Sequence, residues 1–318
     1  MKSIRIIENR SEIGAGTRGS SLGIDALKIA SLKEGSDLFA RLSSSTVEHQ
    51  NHLLWEKNPT PQAIHIEGMI KVFESVAKEV STTLSMNEFP LILAADHASA
   101  GGTIAGLKSA NPNSRLGVIW IDAHGDLHSP FTSPSGNIHG MPLATALAED
   151  NLANKAADPI EGTRNQWNAL KELGGISPKI LPEDIVFFGV RDTETPEDNL
   201  IKEKSIKNYT VEECREKGIE LVCKEALSQL SSCDMIYISF DVDSMDPDLV
   251  SYGTGTPVVN GFSPSEAMKI IELLIKDNSK ISCFEMVEVN PLLDNKGNKM
   301  AETAFGILKN VVKLIEEN

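Results

Sequence analysis

The stretch VIWIDAHGDLHSPFTSPSGNIHG, residues 118–140, decides both the predicted fold and the predicted site. It opens with four apolar residues, Val118–Ile121, which is the pattern of a parallel strand buried on both faces of a sheet. Asp122, His124 and Asp126 follow at every second position, just beyond the carboxyl end of that strand, where open α/β sheets bind their ligands. Carboxylates and imidazoles converging on one point suit a divalent cation. The stretch therefore predicts a metal site at the end of a buried strand.

Composition sets the broad class of protein. The chain has 318 residues, 41% of them hydrophobic and 24% charged, which is close to the average of soluble globular proteins. This length fits two ordinary domains or one large α/β unit. The formal net charge of -15 and the sequence pI of about 5.0 argue against nucleic acid or an anionic membrane as a partner, because both would repel the surface.

Cysteine usage and the amino terminus bear on the compartment. The four cysteines match neither a CxxC zinc pattern nor a disulfide framework, so we expect buried free thiols in a reducing cytosol. The first residues, MKSIRIIENRSE, become charged before a signal peptide's apolar segment could form. No apolar run approaches the ~20 residues that span a bilayer. We therefore expect a cytoplasmic protein.

Strands and helices alternate along the rest of the chain. Apolar runs predict strands, in addition to the one at 118–121, at 4–7, 91–94, 184–190, 235–240 and 282–289. Apolar spacing and capping residues predict helices at 22–32, 62–84, 141–147, 167–173, from 195, from 263 and at 301–315. This alternation predicts a mainly parallel sheet covered by helices on both faces. A (β/α)₈ barrel is the alternative, but about seven strands with long irregular connections favour an open, doubly wound sheet.

Two further strand ends carry the same residue types. His97 follows the strand at 91–94, and Asp241 and Asp243 follow the strand at 235–240. A single buried histidine is often structural, but the position of His97 matches that of His124. Four carboxylates and two imidazoles can hold a pair of cations about 3.5–4 Å apart if some carboxylates bridge them. Oxygen-rich ligands with imidazole and without thiolate favour manganese, and the paired ions would ionise a water for hydrolysis.

Two other features have simpler interpretations. The turn GAGTRG at residues 14–19 lacks the third glycine and the distant acid of a dinucleotide fingerprint, so we expect a loop leading into a helix. Glu197 follows Thr195 and Pro196 at a predicted helix start, where an acid favours the helix dipole without any role in binding.

Taken together, the motifs resemble those of a known family. AADHASAGGT (94–103), the stretch 118–140, SFDVDSMDPDLVSYGTGTP (239–257) and EMVEVNP (285–291) resemble, in order and spacing, the motifs of the arginase or ureohydrolase family. GAGTRG (14–19) and GVRDTETPE (189–197) add weaker similarity, so the resemblance spans nearly the whole chain.

The resemblance implies one ureohydrolase domain over residues 1–318. Its fold would be a three-layer α/β/α arrangement with a mainly parallel, eight-stranded sheet. Its activity would be hydrolysis of the guanidino group of L-arginine to L-ornithine and urea by a metal-bridging hydroxide. Two Mn²⁺ ions per subunit, a cytoplasmic location and a homotrimer or homohexamer are implied as well.

The resemblance also implies roles for single residues. One manganese would be held by His97, Asp122, Asp126 and Asp241, and the other by His124 and Asp243, with Asp122 and Asp241 bridging. Asp126 would accept a hydrogen bond from the nucleophile. His139 would shuttle protons to the leaving amine, and Glu288 would hold the guanidinium group.

The substrate's amino-acid end is assigned in the same way. Ser135 and Asn137 would bind the α-carboxylate, a segment that agmatinases lack, although the residues alone indicate an ordinary Pro/Gly turn. His128 stands where many arginases have Asn, and Glu194 stands where they have Asp. The residues implied at the substrate are His128, Ser135, Asn137, Asp192, Glu194, Glu197 and Glu288.

Two other functions stay open on the sequence. One is another ureohydrolase, such as an agmatinase, a guanidinobutyrase or a formimidoylglutamase, with the same metals and a different substrate. The other is a metal-binding homologue without catalytic activity. Solvated loop charges are a third interpretation of the Asp/His clusters, and they predict no stabilisation by metal.

Overall fold

Eight strands form one sheet in the computed structural model, which describes residues 3–318. Every neighbouring pair of strands is parallel. The strands are β1 Ile4–Asn9, β2 Ser43–Thr46, β3 Phe89–Ala94, β4 Leu116–Ile121, β5 Ile185–Phe188, β6 Lys207–Tyr209, β7 Met235–Asp241 and β8 Ile281–Val287. The expected eight-stranded sheet is confirmed, and it is parallel throughout.

The order of the strands decides where the site lies. It is β2-β1-β3-β8-β7-β4-β5-β6, so the chain returns to the middle of the sheet with its last two strands. As a result β3, β8, β7 and β4 are neighbours at the centre, although they are distant in sequence. These are the four strands whose carboxyl ends carry the predicted metal and guanidinium residues.

Helices cover both faces of the sheet. The α-helices are α1 Gly23–Lys33, α2 Leu38–Arg41, α3 Ile66–Ser85, α4 Ser99–Ala110, α5 Pro142–Leu147, α6 Glu161–Glu172, α7 Thr195–Lys204, α8 Val211–Lys217, α9 Ile219–Gln229, α10 Pro264–Ile275 and α11 Lys299–Glu317. Successive strand residues point to opposite faces, so Ile6 joins a core under α1, α9, α10 and α11, while Ile7 joins one under α3 to α6. This is the expected three-layer α/β/α arrangement.

The two edge strands were missed by the sequence analysis, which counted about seven strands. β2 has the sequence SSST and is mostly exposed, and β6 has only the three residues KNY. Neither contains an apolar run, because an edge strand pairs on one side only and a short, polar edge resists pairing with other chains. Since both edges stay open, the barrel alternative is wrong.

Helix ends and thiols follow the sequence signals. Ser263 and Glu266 form the predicted capping box at the start of α10, with Glu266 N donating to Ser263 Oγ at 3.2 Å. All four cysteines are buried and free. Among residues 3–318, the longest apolar helices are too short or too charged to cross a bilayer.

Glycines let α3 and α4 approach each other closely. A Cβ atom on Gly106 would lie 2.7 Å from the carbonyl oxygen of Ala77 and 2.8 Å from Cβ of Val80. The first contact is with backbone, which cannot move aside as a flexible side chain can. Gly306, in α11, has no atom within 4 Å of the same position.

We predict opposite effects for one substitution at these two glycines. Gly106→Ala should lower the free energy of unfolding by about 1–3 kcal/mol, because the added methyl group forces α3 and α4 apart. Gly306→Ala should raise it by roughly 0.5–1 kcal/mol, since alanine favours the helix and meets no neighbour. Urea denaturation of both variants measures the difference, and equal effects would contradict the close approach of the helices.

Candidate metal centre

The six predicted ligands lie together at the carboxyl edge of the sheet. His97 follows β3, Asp122 follows β4, and Asp241 is the last residue of β7. Parallel strands end at the same edge, so these side chains meet although 144 residues separate His97 from Asp241. Five of the six residues are at most 6% exposed, and His124 is partly exposed.

The first group surrounds the ring of His97. Nδ1 of His97 lies 2.8 Å from Oδ2 of Asp122 and 3.2 Å from Oδ2 of both Asp126 and Asp241. Three carboxylates from two strand ends therefore converge on one imidazole nitrogen. Three of these residues, His97, Asp122 and Asp126, offer ligand atoms within 4.8 Å of one another.

The second group shares an aspartate with the first. Nδ1 of His124 lies 3.1 Å from Oδ2 of Asp243 and 3.4 Å from Oδ1 of Asp122. The two carboxylate oxygens of Asp122 thus face different histidines, Oδ2 towards His97 and Oδ1 towards His124. A carboxylate placed in this way can bridge two cations.

The hydrogen bonds among these residues leave two buried ligand atoms without a partner, as expected of a metal site. Nδ1 of His97 and Oδ2 of Asp122 are both buried, and neither completes a hydrogen bond within residues 3–318. Buried polar atoms almost always have a partner, and a cation between such atoms supplies one. The donor set contains carboxylates and imidazoles only, so oxygen-preferring divalent ions suit it.

Burial and neighbouring charges shift the pKa values of the acids and histidines at the site. Burial and the charges of Asp243 and Asp122 raise the pKa of Asp241 well above its usual range. Burial also opposes ionisation of Asp122, but the two histidines beside it outweigh that effect and lower its pKa. Asp122, Asp126 and Asp241 raise the pKa of His97, although burial alone would lower it. Asp243 and Asp122 raise the pKa of His124 in the same way. Bound cations would take over this neutralising role from protons.

Three contacts that hold the ligands were missed by the sequence analysis. Nε2 of His97 lies 2.7 Å from Oγ of Ser239, and its ring stacks on Trp120 with centroids 4.0 Å apart. Oγ1 of Thr256 donates to Oδ2 of Asp243 at 3.0 Å. A serine within the otherwise apolar strand β7, and a threonine in the quoted segment GTGTP, were the available signals.

A cavity of about 270 Å³ opens above the two groups. Its lining includes both histidines of the metal groups together with most of the residues predicted at the substrate. These are His128, Ser135, Asn137, Asp192, Glu194 and Glu197, and the predicted proton shuttle His139 also lines the cavity. The separate sequence motifs therefore meet in one chamber.

Glu288 lies behind the wall of this cavity. Its Oε1 lies 3.1 Å from Nδ1 of His139, a lining residue, and accepts a hydrogen bond from the backbone N of His97 at 3.1 Å. Its Oε2 is buried without a hydrogen bond among the described residues. Burial alone would lower the pKa of His139, but Glu288 outweighs burial and raises it.

His128, Glu194 and Glu197 contact one another in the lining of the cavity. Nε2 of His128 lies 2.8 Å from Oε2 of Glu194 and 3.3 Å from Oε2 of Glu197. Burial opposes protonation of His128, but the two acids outweigh it and raise its pKa to about 9. The two departures from the family's residues, at 128 and 194, are therefore in direct contact. Glu197 caps helix α7, as its position suggested, and also accepts a hydrogen bond from Leu127 N at 3.0 Å.

The turns at the rim have structural as well as lining roles. Ser135 Oγ accepts a hydrogen bond from Asn137 N at 3.2 Å, and Gly136 between them has a φ of 75°, which favours glycine. In the turn 14–19, Gly14 N donates to Oδ2 of Asp96 at 2.9 Å, and Gly14 O accepts from His139 N at 3.1 Å. The GxG turn thus packs against the site, as a loop rather than a dinucleotide fingerprint.

This arrangement defines a class of protein, the α/β enzymes whose Asp/His clusters can hold metal at the carboxyl edge of a parallel sheet. A model of the arginase family matches residues 3–313. The chain is 37% identical over 316 residues to the arginase of Bacillus subtilis strain 168, with 98% of each chain covered. It is 35% identical over 313 residues to the arginase of Bacillus caldovelox, with 97% of each covered.

Solved structures agree with these relatives. The crystal structure of Bacillus caldovelox arginase superposes with a TM-score of 0.82 at 34% identity, and the match covers 98% of each chain. The chain belongs to the arginase family. It is therefore a hydrolase, and the family resemblance in its motifs is confirmed.

We predict that divalent cations stabilise this protein. Mn²⁺ at a hundredfold excess over its dissociation constant should raise the free energy of unfolding by about 2.7 kcal/mol, because only the folded chain brings the ligands together. Asp126→Asn should bind less metal, so Mn²⁺ should raise its free energy of unfolding by less. Asp158→Asn, which changes an exposed acid, should be stabilised as much as the unmodified protein. Thermal denaturation before and after chelation measures the gain, and no gain would favour solvated loop charges.

Proposed function

We propose that this protein hydrolyses the guanidino group of L-arginine to L-ornithine and urea, using two Mn²⁺ ions per subunit. One observation carries the proposal. Two ligand groups that share Asp122 open into a single cavity whose lining also carries both hydrogen-bond donors and further carboxylates. A cavity of this kind suits a long substrate with a reacting group at one end and a charged amino-acid group at the other.

The metal groups would supply the nucleophile. Two Mn²⁺ ions, when bound, would supply a water molecule acidic enough to ionise near neutral pH. His97, Asp122, Asp126 and Asp241 would hold one ion and His124 and Asp243 the other, with Asp122 and Asp241 contributing to both sites. Asp126 faces the cavity and would accept a hydrogen bond from the attacking oxygen, fixing its direction.

Glu288 and His139 would handle the guanidinium group. A carboxylate matches the planar fork of a guanidinium, and the buried, unpaired Oε2 of Glu288 has acceptor capacity to spare. His139 is partly exposed on the cavity wall, so it can exchange protons with solvent and deliver one to the departing amine. Its contact with Glu288 orients the ring.

The further lining residues of the cavity would select the amino-acid group. Ser135 and Asn137 would donate hydrogen bonds to the α-carboxylate, and Glu194 and Glu197 would accept from the α-ammonium, with Asp192 in support. His128 already contacts both glutamates, so the substrate's ammonium would share these carboxylates with the imidazole.

The family resemblance supports three further proposals. We propose that residues 1–318 act as one ureohydrolase domain, that the protein is cytoplasmic, and that it assembles into a homotrimer or homohexamer. Sedimentation equilibrium of the purified protein tests the last of these.

We predict that His139→Asn slows turnover without loss of metal. The loss of a general acid should lower kcat by about 10²–10⁴-fold, since asparagine cannot transfer a proton. Metal content, measured by atomic emission on the same sample, should be unchanged because His139 lies outside both ligand groups. A variant that loses metal in proportion to its activity would contradict the shuttle role.

A second prediction separates the two charges at the substrate's amino-acid end. Agmatine is L-arginine without the carboxylate, and 5-guanidinopentanoate is L-arginine without the ammonium. Removing a hydrogen bond to a charged group costs about 1.5–3 kcal/mol, or roughly 10- to 100-fold in kcat/KM. Asn137→Ala should lower kcat/KM by this factor with L-arginine but not with agmatine. Glu194→Gln should lower it with L-arginine and agmatine but not with 5-guanidinopentanoate.

The unmodified protein sets the reference for this comparison. L-Arginine should be its best substrate when urea release is measured after activation with manganese. Faster turnover of agmatine or 4-guanidinobutanoate would assign the protein to another ureohydrolase activity. Turnover of none of the three by metal-loaded protein would favour a homologue without catalytic activity.

A further inference from the structure

A layer of buried polar side chains lies beneath the metal centre, between the sheet and α4. Tyr237 and Ser239 are two residues apart on β7, so they point to the same face of the sheet. Ser239 pairs with Glu285 on β8 and with Trp120 on β4. Tyr237, Ser239 and Glu285 thus lie on one face of the sheet, at two successive levels.

These side chains form a chain of contacts that leads to His97. Nε2 of His97 lies 2.7 Å from Oγ of Ser239, and the hydroxyl of Tyr237 donates to Oε2 of Glu285 at 2.6 Å. Ser239 lies directly opposite Glu285 in the register of β7 and β8 and on the same face of β7 as Tyr237, so its hydroxyl lies beside the Tyr237–Glu285 pair. Each of the four residues is at most 1% exposed.

The direction of the hydrogen bonds follows from His97. With a cation held at its Nδ1, which faces the carboxylates, Nε2 would carry the ring proton and donate it to Ser239. The hydroxyl of Ser239 would then be free to donate towards the pair in which Tyr237 donates to Glu285. Every donor in the chain points away from the metal centre, and the chain ends on a carboxyl group.

Packing alone gives no reason for this chain. A carboxyl group buried at the position of Glu285 costs free energy that an apolar side chain there would avoid. Carboxyl groups that accept, directly or through other residues, from a metal-bound histidine fix the ring and strengthen it as a ligand.

We propose that Tyr237 and Glu285 are positioning residues that act through Ser239 to orient His97 as a metal ligand. The proposal rests on the proposed pair of metal ions, and it concerns the ion on the side of His97. His124, which belongs to the other group, has no part in this chain. The structure therefore makes the effect of Tyr237 and Glu285 specific to one of the two ions.

The test is a titration of the metal-free, full-length protein with Mn²⁺, followed by calorimetry. In Tyr237→Phe the dissociation constant of one equivalent should rise about 10- to 100-fold, and that of the other should stay within threefold. Thr256→Val, which removes a donor to Asp243, should weaken the other equivalent instead. Tyr209→Phe removes a buried hydroxyl beside Glu225, away from the site, and should change neither.

A double variant separates positioning from stability. Tyr237→Phe leaves Glu285 buried without its donor, so the metal-free variant should melt at a lower temperature. Tyr237→Phe combined with Glu285→Leu replaces both polar partners by apolar groups and should recover the melting temperature but not the affinity. Recovery of the affinity as well, or equal weakening of both equivalents in Tyr237→Phe, would overturn the proposal.

The titration is independent of the proposed reaction. A protein that binds two equivalents of Mn²⁺ but releases no urea from L-arginine contradicts the proposed function alone. In that protein, weakening of one equivalent in Tyr237→Phe still supports the role of Tyr237, and unchanged affinities of both equivalents refute it.

Discussion

Repulsion among buried carboxylates is the constraint on which this structure depends. Asp122, Asp241 and Asp243 meet at the carboxyl edge of the sheet with almost no exposure to water, where like charges interact strongly. Two histidines offset part of this charge, and each faces one oxygen of Asp122. Arg191, whose Nη2 donates to the backbone oxygen of Asp243 at 3.0 Å, offsets a further part, and bound cations would balance the rest. The fold serves to hold these groups together against their repulsion.

Strand order explains how the fold does this. β7 and β8 enter between β3 and β4, so the end of the chain contributes Asp241, Asp243 and Glu288 to a site that β3 and β4 have already outlined. Both faces of these central strands are covered by helices, and the strands cannot slide without moving every apolar side chain to the wrong environment. The site therefore gains its rigidity from the same packing that stabilises the domain. The close packing of α3 and α4 is part of it.

The sequence predicted the features that depend on a single continuous segment, namely the buried strands and the ligands that directly follow them. The central strands are continuous apolar runs because both of their faces are buried, and Asp122, His124 and Asp126 were found because they directly follow such a run. Long-range contacts could not be predicted in this way. β2 and β6 are short and polar, so they lack the signal. Ser239 and Glu285 lie within strands predicted as apolar, and their role depends on a register that only the folded sheet establishes.

Backbone conformation shows where the site is held against local preference. Asp126 has a φ of 50° and Glu288 a φ of 69°, values that cost a residue with a side chain about 1–3 kcal/mol. Both are acids of the site, and both are fixed by hydrogen bonds to other strand ends or loops: Leu143 N donates to Asp126 O, and His97 N donates to Glu288 Oε1. Relaxing either backbone would turn its carboxylate away from the convergence point. The strain is therefore a consequence of directing acids from three strand ends and their loops at one place, and the surrounding hydrogen bonds keep it from being released.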